Sequence, residues 1–238
     1  MGVTRGSFSA AHWGPFFSAS GRIASGAFFR AGSFTADGAG NLTAGLEDIN
    51  ETSGVTQGLS FVGTYSVASD GRGSLQFADG HTPSTFNFVL VNGAQLQIIG
   101  FDNTGTASGQ ANLRDVTAFG ASALSGTYVF DFAGVHGANG FSQIGEFIAN
   151  GAGSITSGLM DTSDGGAATP QVAITGGAYS VNTGTGRGTA TLVTSGATFQ
   201  LSFYIVSRGS AKFVGTDTTQ QVAGVASQQT PNATFNNS

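Results

Sequence analysis

Two carboxylates recur at equivalent positions in the two halves of this 238-residue chain, Asp48 with Asp161 and Asp102 with Asp217. Each ends a segment of alternating apolar residues and shares the parity of the apolar positions before it, so it should point to the same face of the strand. We therefore expect the two carboxylates of each half to face inward at one rim of a closed sheet, about 10 Å apart. That separation exceeds the roughly 5 to 9.5 Å of paired glycosidase acids and is too long for one shared metal. The arrangement predicts either a polar mouth for a ligand or, more simply, aspartates that bond to the backbone at strand ends.

Two arginines repeat in the same way, in the Gly-Arg-Gly segments at Arg72 and Arg187. An arginine at the opposite rim could bind an anionic group, although a surface salt bridge is the commoner role. The interior of the second half offers a set of apolar side chains that could line a ligand cavity. These are Phe130, Phe132, Phe199, Leu201 and Phe203. No residue set in the sequence predicts a catalytic or metal site, and we expect no cofactor.

These residues lie in a sequence that is internally duplicated. The stretch GSFTADGAGNLTAGLED at 32–48 returns as GEFIANGAGSITSGLMD at 145–161, with ten of seventeen positions identical at an offset of 113 residues. Later segments match at offsets up to 115, as small insertions in turns would produce. A self-match of this length predicts two copies of one topology.

Each copy shows the period-2 alternation of half-buried strands, separated by Gly, Asn, Asp and Ser, with no helix-length pattern. Eight short strands per copy predict an all-β fold, in which tandem eight-stranded antiparallel meanders each close into an up-and-down barrel. β-Sandwiches and one sixteen-stranded barrel are the alternatives. We predict a bulge at 175–177. The predicted organisation is an N-terminal segment 1–12, a first barrel 13–117, a linker 118–123, a second barrel 124–228 and a polar tail 229–238.

The amino-acid composition excludes several classes of partner and site. The chain has 39 glycines, 20 phenylalanines and 9% charged residues, with a net charge of −5. Because nucleic-acid binding needs clustered Lys and Arg, we expect no nucleic-acid partner. The absence of cysteine excludes disulfides and thiolate sites. No apolar run approaches the roughly 20 residues of a transmembrane helix, and residues 1–20 lack the pattern of a signal peptide.

Segments such as LSGTYVFDF at 124–132, followed by the meander, resemble the opening of avidin- and lipocalin-like eight-stranded barrels. That resemblance implies an interior able to hold a small ligand. The segments LSGTYVF, GSFTADGAGNLT and the YSV and DGRG motifs resemble uncharacterised bacterial secreted or cell-surface repeat proteins, which implies an extracellular or cell-surface location. We therefore expect a non-enzymatic module with a structural, adhesive or assembly role, whose partner is another copy or a cell-surface polymer. The alternative is a calycin-like binder of a small apolar or aromatic ligand.

Overall fold

The computed structural model describes residues 14–231 and shows sixteen strands in two closed eight-stranded antiparallel barrels. Residues 1–12 of the predicted N-terminal segment lie outside the described residues. The first barrel contains β1 (Pro15–Ile23), β2 (Gly26–Ala36), β3 (Asn41–Glu51), β4 (Gly54–Val67), β5 (Arg72–Ala78), β6 (Thr85–Asn92), β7 (Gln95–Gly100) and β8 (Gly105–Leu113). The second contains β9 (Ser125–His136), β10 (Asn139–Asn150), β11 (Ser154–Asp164), β12 (Ala167–Val181), β13 (Arg187–Thr194), β14 (Thr198–Ser207), β15 (Ser210–Gly215) and β16 (Gln220–Gln228).

Both barrels are simple meanders in which each strand pairs with its sequence neighbours. The first closes where β1 pairs with β8, and the second closes where β16 pairs with β9. Closure gives every strand two hydrogen-bonded neighbours and so removes the exposed edges that favour aggregation. The predicted all-β fold of tandem eight-stranded barrels is confirmed, and the sandwich and sixteen-stranded alternatives are excluded.

The lumen of each barrel is filled by the inward residues of the alternating pattern. In the first barrel, Phe17, Phe34, Phe61, Phe77 and Phe86 form a continuous aromatic cluster, with ring centroids 4.8 to 6.4 Å apart. Such spacings are those of favourable tilted and edge-on ring pairs. Several glycines allow the strands to approach closely around this core. At Gly134 in the second barrel, for example, a Cβ would lie 1.8 Å from the backbone oxygen of Gln221.

Bulges interrupt the ladders of both barrels. In β3 the pairing with β2 shifts by one residue around Ala44, which adopts a φ of 48°. In β12 the pairing with β13 shifts between Ile174 and Gly176, which confirms the bulge predicted at 175–177. A one-residue shift moves every later side chain of that strand to the other face of the sheet.

The chain divides into its two compact units between Arg114 and Asp115, three residues before the predicted end of the first barrel at 117. The segment 118–123, predicted as a linker, includes parts of two short 3-10 helices, Val116–Ala118 and Ala121–Ala123, that lie against the second barrel. Ala118 and Ala123 join its core, and the Tyr128 hydroxyl donates to the Ala123 carbonyl at 2.6 Å. At the other end, the Gln229 amide still pairs with Thr127 at 2.8 Å. The rest of the predicted tail from 232 lies outside the described residues.

Candidate functional site

The predicted inward orientation of Asp48 and Asp161 is wrong. The bulge at Ala44 changes the alternation of β3, so that Glu47 points into the lumen and Asp48 lies on the outer face. Asp161 is likewise on an outer face, opposite the exposed Ile144 in the ladder between β10 and β11. The alternation before the bulge gave the wrong parity because the sequence does not mark the extra residue.

Both aspartates hold a second bulge on the neighbouring strand. Asp48 accepts a hydrogen bond from the Gly58 amide at 3.0 Å, and Asp161 accepts one from the Gln171 amide at 2.7 Å. Gly58 and Gln171 have φ values of 62° and 56°, so both copies place a left-handed residue at the same point. The repeated aspartate therefore stabilises a backbone irregularity.

Asp102 and Asp217 follow β7 and β15 and bond to backbone at strand ends, Asp217 within its own turn and Asp102 both within its turn and to the start of β6. Asp102 accepts from the amides of Ser84 at 2.6 Å and Thr104 at 3.2 Å, and Asp217 accepts from the Thr219 amide at 3.1 Å and its hydroxyl at 2.8 Å. Burial opposes ionisation of Asp102, but these donors outweigh it and hold its pKa below the ordinary value. These bonds match the simpler of the two interpretations, in which aspartates at strand ends bond to the backbone.

Arg72 and Arg187 also lie on outer faces, and each contacts residues nearby. The Nε of Arg72 donates to Asp70 at 2.8 Å, in an ion pair whose two side chains are well exposed. The Arg187 guanidinium donates to the Ser202 hydroxyl at 3.1 Å. Surface ion pairs of this kind contribute little to stability.

Most of the predicted cavity-lining set belongs to the packed core of the second barrel. Its members are Phe130, Phe132, Phe199, Leu201 and Phe203, of which Phe199 is partly buried. The rings of Phe130 and Phe132 have centroids 4.7 Å apart, and Phe203 stacks at 5.1 Å on Phe213. These side chains occupy the lumen by packing against one another.

The first barrel contains a polar cluster that the sequence interpretation missed. Arg30, with no exposed surface, reaches across the lumen and donates to the Pro83 carbonyl at 2.9 Å. Its guanidinium also pairs with Glu47 at 3.1 Å and with Asp79 at hydrogen-bond distance. The guanidinium carbon lies 5.7 Å from the ring centroid of Phe77, within cation–π range.

Burial sets the protonation of this cluster. Burial raises the pKa of Glu47 to about 8, against the opposing attraction of Arg30, and the nearby Asp79 raises it further. Asp79 is also partly buried, but Arg30 and hydrogen bonds from Glu47 and the His81 amide hold its pKa below the ordinary value. Near neutral pH, Arg30 and Asp79 therefore form the charged pair while Glu47 retains its proton. This arrangement balances charge inside the barrel.

A second acid–base contact lies beside the cluster. The Nδ1 of His81 is 3.2 Å from a Glu51 carboxylate oxygen, and the Ser53 hydroxyl donates to the other oxygen at 3.1 Å. In the part of the chain that the structure describes, no three His, Cys, Asp or Glu side chains meet in a way that would hold a metal ion.

The cluster is specific to the first copy. Its Arg30 and Glu47 correspond by the 113-residue offset to Gln143 and Met160. The only signal in the sequence was parity, because Arg30 alternates with Phe28 and Phe34 and so falls on the inward face of β2.

Two grooves lie on outer faces of the barrels. The first, of about 570 Å³, crosses β5, β6 and β7, and we call the outward side chains of these strands the arginine wall. Its members are Arg72, Ser74, Asn87, Val89, Gln97 and Ile99. The second groove, of about 350 Å³, crosses β9, β10 and β11, whose outward side chains we call the acidic wall. Its members are Val129, Asp131, Ile144, Glu146, Leu159 and Asp161.

Comparisons with known proteins do not assign the chain to a family. No model of a known protein family matches the chain, and no curated protein matches it. Among solved structures, the crystal structure of CghA with Sch210972 aligns over 90% of this chain and 86% of that chain, at 10% sequence identity and a TM-score of 0.24. A likeness at that level carries no argument about function. Across residues 14–231, no helix combines the length and apolar character needed to cross a membrane.

Proposed function

We propose that this protein is a non-enzymatic extracellular or cell-surface module with a structural, adhesive or assembly role. The observation that carries the proposal is the contrast between lumen and wall in both barrels. The lumens are packed with aromatic side chains, whereas the outer walls carry large exposed apolar residues in grooves. Apolar side chains grouped on an outer face are typical of a surface that meets a partner.

The repeated polar residues support the same function. The duplicated aspartates bond to the backbone of turns and bulges in both copies, which is a structural role and not a catalytic one. Each of the two barrels presents one outer wall with exposed apolar side chains and a groove, which suits contact with copies of the chain or with a polymer. The resemblance to bacterial secreted repeat proteins supports the location.

Light scattering and electron microscopy of the full chain test the proposal, together with pull-down on insoluble cell-wall polymer. We expect concentration-dependent assembly, polymer binding, or both. A chain that stays monomeric and binds no polymer would contradict the proposal. Uptake of a small apolar dye by such a monomer would favour the alternative, a calycin-like binder.

A further inference from the structure

The groove on the arginine wall of the first barrel combines exposed aliphatic side chains with hydroxyl and amide groups. Its apolar part is formed by Val89 and Ile99, each of which is 50% exposed. In the ladder between β6 and β7, Val89 lies opposite Gln97 and Ile99 lies opposite Asn87, so each aliphatic side chain has an amide beside it. Because neighbouring strands are about 4.8 Å apart, apolar and hydrogen-bonding groups alternate over short distances in this groove.

The polar side chains of the groove have hydrogen-bonding capacity that the protein does not use. The hydroxyls of Ser66 and Ser74 are 2.9 Å apart and bond to each other, which leaves one hydroxyl hydrogen and further acceptor positions for a ligand. In the described part of the chain, the side-chain amides of Asn87 and Gln97 bond to no other residue. The groove therefore offers both donors and acceptors to whatever occupies it.

The groove carries no net charge. Of the described residues that line it, only Asp70 and Arg72 are charged, and they form an ion pair of 2.8 Å with each other. Asp70 also accepts a hydrogen bond from the Arg72 amide at 3.1 Å. An anionic ligand would have to compete with Asp70 for the guanidinium, and a cationic ligand would have to compete with Arg72 for the carboxylate. Charge complementarity therefore favours an uncharged ligand.

The mixture of groups also excludes a wholly apolar ligand. Such a ligand would cover the amides of Asn87 and Gln97 without bonding to them, which costs free energy. A sugar ring has C–H groups on its faces and hydroxyls around its edge, so it can contact an aliphatic side chain and bond to the neighbouring amide together. The groove has a volume of about 570 Å³, which is within the range of small-ligand sites, and it lies on an outer face that a polymer can reach.

We propose that the groove on the arginine wall binds an uncharged polysaccharide. Asn87 and Gln97 bond to the sugar hydroxyls, and Val89 and Ile99 contact the faces of the rings. The proposal rests on the polymer-binding role argued above and names the chemical class of the polymer. The site is specific to the first copy, because the second copy has Lys212 at the position that corresponds to Gln97.

Pull-down of the full chain on insoluble cellulose, mannan and cross-linked dextran tests the proposal. We expect binding to at least one of these neutral polymers, and the binding should persist at about 0.5 M salt, which screens contacts between exposed charges. Asn87→Ala and Gln97→Ala should each weaken it about three- to tenfold, as loss of one hydrogen bond would. Ile99→Asp places a charge in the apolar part of the groove and should weaken binding by at least about tenfold.

Two substitutions at exposed positions of the second barrel are the matched controls. Gln200→Ala removes an amide at the position that corresponds to Asn87, and Ile144→Asp makes the same change as Ile99→Asp. Both should bind like the unsubstituted chain. Thermal unfolding of every variant checks that the fold is intact.

Failure to bind any of the three neutral polymers would overturn the proposal. So would retention only on carboxymethyl-cellulose or diethylaminoethyl-cellulose, which add charge to the cellulose backbone. Binding to a neutral polymer at the unsubstituted level by all three groove variants would overturn the assignment of this groove. In each of these cases the proposed function stands if the chain assembles or binds a polymer, whereas a monomer that binds no polymer of any charge would remove both.

Discussion

Replacement of the buried Glu47 by glutamine should change how the stability of the first barrel depends on pH. Glu47 has no exposed surface, and burial raises its pKa to about 8 from an ordinary value of 4.5. Glutamine has the shape of the protonated acid and can still donate to Asp79. Glu47→Gln should therefore leave stability near pH 5 almost unchanged.

The direction in which the free energy of unfolding changes with pH follows from proton binding. Between about pH 4.5 and pH 8 the folded chain holds the Glu47 proton while the unfolded chain has released it, so the free energy of unfolding falls as pH rises. At about 1.4 kcal/mol per pKa unit, the loss between pH 5 and pH 8 is on the order of 3 kcal/mol. Glu47→Gln cannot titrate, so it should be more stable than the unsubstituted chain by about that amount at pH 8.

Urea denaturation of the full chain at pH 5, 6, 7 and 8 measures this effect, with hydrogen exchange of β2 and β3 peptides reporting on the first barrel. Glu146→Gln, on the outer wall of the second barrel, removes the same charge and is the control; it should leave the pH slope of the first barrel unchanged. Parallel pH profiles for Glu47→Gln and the unsubstituted chain would refute the protonated, buried state of Glu47.

Three further predictions concern local features. Burial lowers the pKa of Lys212 to about 8 from 10.5, so the folded chain binds fewer protons than the unfolded chain between these pH values. The stability of the second barrel should therefore rise with pH from about 8 to 10.5, and Lys212→Met should flatten that rise in denaturation curves. Asp48→Ala should cost about 2 to 3 kcal/mol in the same assay, because it removes a buried acceptor, whereas Asp161→Ala should cost less because water reaches that site. Gly134→Ala should lower stability by about 3 kcal/mol or more through its backbone clash, whereas Gly140→Ala, with open space at the Cβ, should change it by less than about 1 kcal/mol in thermal unfolding.

The fold could be predicted because its signals are local and repeated. Alternating apolar residues, glycine-rich turns and the match between 32–48 and 145–161 indicated strands, hairpins and two equal copies. The same local signals placed the bulge at 175–177. Closure of each barrel was predicted because the chain has only one lysine, Lys212, and natural edge strands use lysines to prevent aggregation.

The candidate site was harder to predict from the sequence than the fold, because side-chain direction depends on strand register. One residue in a left-handed conformation at Ala44 moved Asp48 out of the lumen and Glu47 into it. The association of Arg30 with Asp79 joins strands that are distant in sequence, and no spacing rule indicates it.

The sequence by itself determined the duplicated meander, since strand periodicity and turn chemistry are encoded within a few residues. Only the tertiary structure decided which residues line the lumen and which aspartates bond to backbone. The physical reason is that a bulge reverses the two faces of a strand, and closure of the sheet brings together side chains from opposite strands. The cluster of Arg30, Glu47 and Asp79 depends on both effects, which is why it appears only in the folded barrel.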